Sequence, residues 1–452
     1  MLKKILIQNF KAFGEPECAL DLKPLTLLVG PNGSGKTAAL ESLGLLSQTA
    51  DAQSNQDGFS WRGRWADFGP NGLPAFHKGK ANVEIRLGVT FDSRHLPPEP
   101  TESRASYSSD DDSEPPAAIE YIVHHIPKKR YWQHVCQLDD QTKAVNTLQP
   151  SPASPALIFE NADIDGVYVP QATGGAVFSP QLYQTNGISL GTQAVISSGQ
   201  RLNEAKRLGS RFSTAISYLR QFLKDHVYLV GPSRLPRSEE QNLQKYDLSV
   251  GRSGEDTLNL LSYLFASPEH DTATERIQHW AKIFGLGGLR AGWARQQELQ
   301  AGFTDPQTKT ALRLEYSGYG SQQILPVITQ IFAAPKGSII LIEEPEISLH
   351  PEAHVDLIKL FADGIKFGQQ IVITTHSSTL PLALAEAEAF GLKPKDVSIH
   401  HLRRERGSIQ NQKLELDEKW FIRGWIPSFS TVEQDLLKKW MERVQDDISS
   451  KP

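Results

Sequence analysis

The stretch Gly30-Pro31-Asn32-Gly33-Ser34-Gly35-Lys36-Thr37 constrains this chain more than any other. It follows Leu25-Thr26-Leu27-Leu28-Val29, an apolar and β-prone run that reads as a buried parallel strand. It precedes Ala38 to Leu46, where Leu40, Leu43 and Leu46 recur at helical spacing. Strand, glycine-rich loop and helix in that order make a phosphate-binding loop. Gly33 and Gly35 let the backbone curl so that the N–H groups of the loop, Asn32 and Ser34 included, converge on one anion. The helix start adds its positive dipole end. Lys36 supplies a point charge for the β- and γ-phosphates, and Thr37 a hydroxyl for Mg²⁺. The cofactors implied are ATP and Mg²⁺.

Far downstream, Ser338 to Ile342 is a second apolar strand that ends in Glu343 and Glu344. Two glutamates at a strand end are by themselves a solvated corner. With the upstream loop they read as the acidic half of a nucleotide triphosphatase. Glu343 is expected to hold Mg²⁺, and Glu344 to polarise the attacking water as general base. A third apolar strand, Gln370 to Thr375, ends at His376, which is placed to sense a γ-phosphate. Upstream of the carboxylates, Ser317-Gly318-Tyr319-Gly320-Ser321 opens a helical run from Ile324 to Phe332 and makes a second anion site. One protomer cannot easily bring both sites to one phosphate, so a second protomer is expected to present its own.

These elements, in this order, resemble the ABC-type ATPase heads of the SMC, RecF and OLD (overcoming lysogenization defect) group. The opening strand and turn Ile5 to Phe13 look like that group's N-terminus. Val250-Gly251-Arg252-Ser253-Gly254-Glu255-Asp256-Thr257 looks like a recurring family segment, and Leu349-His350-Pro351 resembles its D-loop region. The fold class implied is α/β: a P-loop head with a mostly parallel core sheet and an antiparallel β layer, split by a long insertion. By the resemblance, Lys36, Thr37, Glu343, Glu344 and His376 carry the roles above, and Lys11 approaches the ribose or α-phosphate. Ser317, Gly318, Gly320 and Ser321 then act in trans on a partner's γ-phosphate. Two positions depart from the pattern. Glu343 stands where an aspartate is usual, and Gly318-Tyr319-Gly320 replaces the usual serine–glycine triplet. Both departures fit slow turnover. No glutamine loop is assigned, because Gln48 and Gln53 lie too close to the first helix.

Composition narrows the class further. Net charge of −5 argues against a surface coated for nucleic acid, without excluding a local basic groove. The apolar runs are too short to span a bilayer, and the N-terminal run is broken by Gln8, Asn9 and Lys11, unlike a signal peptide. Cys18 and Cys136 are the only cysteines, which fits two free thiols in a reducing cytoplasm and gives no metal-ligand spacing.

The expected organisation is an N-terminal half-head over 1–95, an insertion over 96–225, a C-terminal half-head over 226–430 and a terminal helix over 431–452. Within the insertion, 96–117 reads as a mobile proline-rich acidic loop. The cluster Ile126 to Trp132 reads as a solvated basic hairpin turn more readily than as a phosphate and base contact. Residues 148–190 show no period, and Gln200 to Val227 reads as a helix. The 76 residues after His376 hold no metal-binding nuclease pattern. The chain therefore resembles stand-alone ATPase components of bacterial anti-phage systems such as Septu and PARIS. The partners implied are a second copy, a separately encoded effector such as a nuclease, and DNA or a phage component. The alternative is a RecF-like clamp in which ATP closes two heads on duplex DNA.

Overall fold

The computed structural model describes residues 1–51, 59–80, 83–91, 218–236, 248–295 and 298–423, positions 438, 439 and 441, and the backbone of five strands between 119 and 170. Four apolar runs become strands with every residue buried: β3 (Leu25–Val29), β10 (Val227–Val230), β14 (Ile339–Glu343) and β15 (Gln370–Thr375). Such runs suit strands covered on both faces. With β16 (Val397–Glu405), they form the parallel part of a sheet ordered β10-β14-β15-β3-β16. β17 (Ser408–Leu416) and β18 (Ile422–Arg423) extend it antiparallel. Parallel pairing sends the C-terminal ends of β3, β14 and β15 to one edge. Val29 pairs with Thr375 and Thr374 with Glu343, so the phosphate loop, the two carboxylates and His376 emerge side by side. Ligand chemistry in such sheets gathers at this edge.

α1 (Lys36–Asp51) leaves the loop and is buried almost throughout. α4 (Tyr319–Ala333) and α5 (Ala353–Phe367) bury their apolar faces in the same core. The order of elements runs on through α2 (Thr257–Ala266) and α3 (Asp271–Ile283) before α4. Buried Asp363 of α5 accepts hydrogen bonds from Arg276 and from Trp280 Nε1, the latter at 2.9 Å, and so pins α3 to α5. β11 (Arg290–Arg295), β12 (Glu298–Thr304) and β13 (Ala311–Arg313) form a small antiparallel sheet, with Gly302 opposite Arg313.

A second, antiparallel sheet carries β1 (Leu2–Gln8), β2 (Cys18–Asp21) and β4 (Ile85–Phe91), the expected layer beside the core. It continues through β5 (Ile119–Ile126), β6 (Tyr131–Gln137), β7 (Lys143–Leu148), β8 (Ala156–Glu160) and β9 (Val167–Pro170). The last two lie where the sequence shows no period. They are too short, and too closely flanked by Pro, Gly and Ser, for alternation to be legible. The insertion thus extends the N-terminal half-head's own sheet. The proline-rich loop, the basic turn 127–130 and most of the two expected helices at 200–227 and 431–444 lie outside the described residues.

Gln370 ties the two sheets together. It is buried, accepts from Leu2 N at 3.1 Å, and donates to Leu2 O at 2.8 Å and Lys23 O at 3.2 Å. The segment after α1 is irregular but packed, with Phe59, Trp65, Phe68 and Phe76 in the core. Gln48 holds it. Its amide donates to Ser60 O and to Ala66 O, and its carbonyl accepts from Trp65 N and Ala66 N. Gln48 is therefore a staple within one segment. Gln48→Leu would leave those buried backbone groups unpaired and is expected to lower stability by about 2–4 kcal/mol. Denaturant unfolding at unchanged m-value checks this, and a change under ~0.5 kcal/mol would contradict the staple.

Candidate functional site

The loop between β3 and α1 is shaped by close approach. A Cβ on Gly30 would come within 2.3 Å of Leu402 O, and one on Gly35, at φ +89°, within 2.9 Å of Ile409 Cγ1. Neither position admits a side chain. Lys36 is buried at the start of α1. Its ammonium donates to Gly30 O at 2.9 Å and Pro31 O at 3.0 Å, and lies 3.4 Å from His376 Nδ1. Burial pushes its pKa down to about 8, against the pull of the Glu344 and Glu346 carboxylates. The buried Ser34 hydroxyl has no hydrogen-bond partner among the described residues. An orphan donor beside a buried ammonium, inside a ring of loop N–H groups, is a cradle suited to phosphate oxygens.

Glu343 ends β14 with its carboxylate buried. Arg252 Nη2 donates to its Oε1 at 3.0 Å, and the Thr37 hydroxyl bonds to the same carboxylate. Burial raises its pKa, while Arg252 and Thr37 pull it back. A buried carboxylate paired with a hydroxyl is a donor set that fits Mg²⁺ beside a triphosphate.

Glu344 sits at φ +45°, a conformation uncommon for a residue with a side chain. Its N–H is held by Thr374 O at 3.0 Å and Thr374 Oγ1 at 3.2 Å. Its Oε1 is 3.1 Å from His376 Nε2. An ammonium only donates, so the Lys36 contact makes His376 Nδ1 the acceptor and leaves the ring proton on Nε2, facing Glu344. The backbone N–H of His376 donates to Glu346 Oε1 at 3.0 Å, and the Thr375 hydroxyl donates to the same oxygen. The other Glu346 oxygen is buried without a partner. Lys36, His376 and Glu344 thus form one line of contacts.

Two arginines complete the site, and sequence reading gave neither a role. Arg234, fully buried, donates to the carbonyls of Gly231 (2.9 Å), Gln323 (3.0 Å), Glu343 (2.7 Å) and Glu344 (3.2 Å). Arg252 bridges Glu343 and Glu41 Oε1, each at 3.0 Å, and also donates to Trp65 O. The segment around Arg252 was legible as a recurring one, but nothing in it announced a cation beside a carboxylate 91 residues away. Lys11, expected near the ribose or α-phosphate, pairs with the other oxygen of Glu41.

The signature residues are not hydrogen-bonded to the phosphate loop, although Tyr319 lies near enough to Arg234 to interact with its charge. Gly318 caps α4, the Ser321 hydroxyl donates to Phe284 O at 2.8 Å, and Tyr316 and Tyr319 are exposed. Among the described residues no hydrogen bond joins 317–321 to the phosphate loop.

The chain matches the family model described as an AAA ATPase domain over residues 1–158 and 203–380. No curated protein matches it in sequence. Solved structures that it resembles include an SMC head bound to the C-terminal winged-helix domain of ScpA, at 13% identity and a TM-score of 0.41, covering 92% of this chain and 98% of that one. The SMC head domain from Thermotoga maritima is similar at 10% identity and a TM-score of 0.40, covering 92% and 99%.

The depressed Lys36 pKa has a testable sign. Between about 8 and 10.5 the unfolded lysine holds more protons than the folded one, so Lys36 costs stability below about pH 8 and the cost fades as pH rises to 10.5. Nucleotide-free Lys36→Met is expected to be more stable than the parent at pH 7 by on the order of 2 kcal/mol, with the gain shrinking towards pH 10.5. Thermal melts across that range check it; a gain independent of pH would contradict the burial cost.

Proposed function

Because the chain belongs to the AAA ATPase domain family, we propose that it binds Mg·ATP at the Gly30–Thr37 loop and hydrolyses it with Glu344 as general base. The observation that carries this is the line Lys36–His376–Glu344 beside the buried Thr37–Glu343 pair. Lys36 gives up its loop carbonyls to a β- or γ-phosphate oxygen. Glu344 takes a proton from the attacking water as the oxygen bonds to the γ-phosphorus and the bond to the β-bridging oxygen breaks. The Nε2–H of His376 orients the Glu344 carboxylate, and its Nδ1 senses where the Lys36 charge has gone. Mg²⁺, held by Thr37 and Glu343, would neutralise charge on the β- and γ-oxygens.

Ser317, Gly318, Gly320 and Ser321 act in trans in this reading. Their lack of hydrogen bonds to the phosphate loop among the described residues and the exposure of Tyr316 and Tyr319 support a partner protomer as the recipient. ATP then joins two copies and hydrolysis parts them, which makes the head a switch. Its output is a separately encoded effector, a nuclease in an anti-phage system by family resemblance. Lys11, paired with Glu41, reaches a ribose or α-phosphate only by exchanging that partner.

Lys36→Ala is expected to abolish ATP binding. Glu344→Gln is expected to keep binding, lower turnover at least roughly 100-fold and accumulate an ATP-bound dimer. Turnover assays with light scattering read both, and hydrolysis at the parental rate in Glu344→Gln would remove Glu344 from the base role. His376→Ala should reduce kcat by more than it raises the ATP dissociation constant. The reverse split would make His376 a structural residue.

A further inference from the structure

The phosphate loop has an outer wall as well as an inner one. A cleft of about 470 Å³ lies against that wall, between loop residues 31–34 and His401, Arg403, Arg404 and Glu405 at the end of β16. Strand β16 pairs in parallel with β3, with His401 opposite Val29, so its last residues run out beside the loop that follows β3. None of Lys36, Thr37, Glu343, Glu344 or His376 lines this space. It therefore lacks the catalytic side chains of the inner site and shares with it loop residues 31–34.

The cleft is rich in donors. Arg403 Nε donates to His401 Nδ1 at 2.9 Å, which places the ring proton of His401 on Nε2. That Nε2 is buried and has no hydrogen-bond partner among the described residues. Burial, then the Arg403 charge, hold the pKa of His401 down to about 4, with Gln412 pulling the other way, so the ring is neutral at pH 7. Arg403 Nη2 donates to Gln412 Oε1 at 3.0 Å, which fixes its guanidinium plane at the cleft. Arg404 is exposed and makes no ion pair among the described residues. The orphan Ser34 hydroxyl belongs to a residue of the same lining. Arg403, Arg404, His401 and Ser34 thus line the cleft together with one acidic residue, Glu405. Arginines in this arrangement select planar or tetrahedral oxyanions, and a lone carboxylate among them accepts from a ligand hydroxyl.

We propose that this cleft binds a phosphorylated small molecule, a phosphomonoester that carries hydroxyl groups, on the outside of the nucleotide loop. Arg403 and Arg404 hold the phosphate, His401 donates to it, and Glu405 accepts from a hydroxyl. The volume lies in the range of small-molecule sites. Residues 31–34 form a wall of both sites, so occupancy of one changes affinity at the other, reciprocally.

The test uses the full chain with its inner site saturated by Mg·ADP. Ribose 5-phosphate is titrated in by calorimetry, with ribose as the unphosphorylated control. One ribose 5-phosphate is expected to bind per chain with ADP still bound, and ribose not to bind. Arg403→Gln and Arg404→Gln are each expected to weaken ribose 5-phosphate roughly tenfold, while ADP affinity moves less than about twofold. The ADP titration also reports that each variant is folded. No binding at millimolar ribose 5-phosphate overturns the proposal, as does equal binding by both variants. Competitive displacement of ADP overturns it too, by moving the ligand to the inner site. Failure to bind ADP counts instead against the ATPase reading, and the ribose 5-phosphate titration then still decides the cleft on the free protein.

Discussion

Arg234 is buried to the last atom, yet its hydrogen bonds go to backbone carbonyls and to no carboxylate oxygen. Removing a guanidinium from water costs several kcal/mol unless its donors are satisfied. Here they are satisfied by the turn after β10, the start of α4 and the end of β14. Burial depresses its pKa to about 10, and the nearby carboxylates of Glu346, Glu343 and Glu344 restrain the fall, so it stays charged at neutral pH. One cation thus fixes where the acidic strand stops and turns. Glu344 can then hold a positive φ, since its carbonyl is gripped by Arg234 and its N–H by Thr374. The strain is held in place by these contacts, and it aims a carboxylate at His376.

A second chain of charges reaches across the molecule. Lys11 pairs with Glu41, Glu41 with Arg252, and Arg252 with Glu343, which meets Thr37. The opening turn, the first helix, the segment before α2 and the acidic strand come together only when both half-heads are folded. Partial burial makes loss of any member costly, because it leaves its neighbour's charge unpaired. The nucleotide site is in this sense a product of the split architecture.

How much of this could be read beforehand follows from the range of each interaction. The phosphate loop, the buried strands and His376 were legible because they are local: an apolar run, a glycine pattern, a polar residue at a strand end. Parallel pairing then brings Lys36, Glu344 and His376 together without further information. Arg234 and Arg252 were not legible. Their partners lie about a hundred residues away, and an arginine after a glycine turn looks like any solvated charge. Gln48 was given no role from sequence, because its bonds go to backbone groups 12 to 18 residues away that a local reading does not show. Strands β8 and β9 were missed because five and four residues leave no period to detect.

The partnership with Arg252 also bears on the glutamate at 343, where the related heads usually carry an aspartate. A buried carboxylate needs more than one favourable contact to stay ionised, and burial here raises its pKa. The extra methylene lets one carboxylate meet Arg252 and the Thr37 hydroxyl together. The longer side chain is therefore matched to a cation supplied by another segment. Because that cation already neutralises Glu343, a metal ion arriving between Glu343 and Thr37 must compete with the guanidinium for the carboxylate. Arg252 then has Glu41 as its remaining anion, and Glu41 is the residue that holds Lys11. The ion pairs Glu343–Arg252–Glu41–Lys11 thus link the acidic strand to the turn after β1.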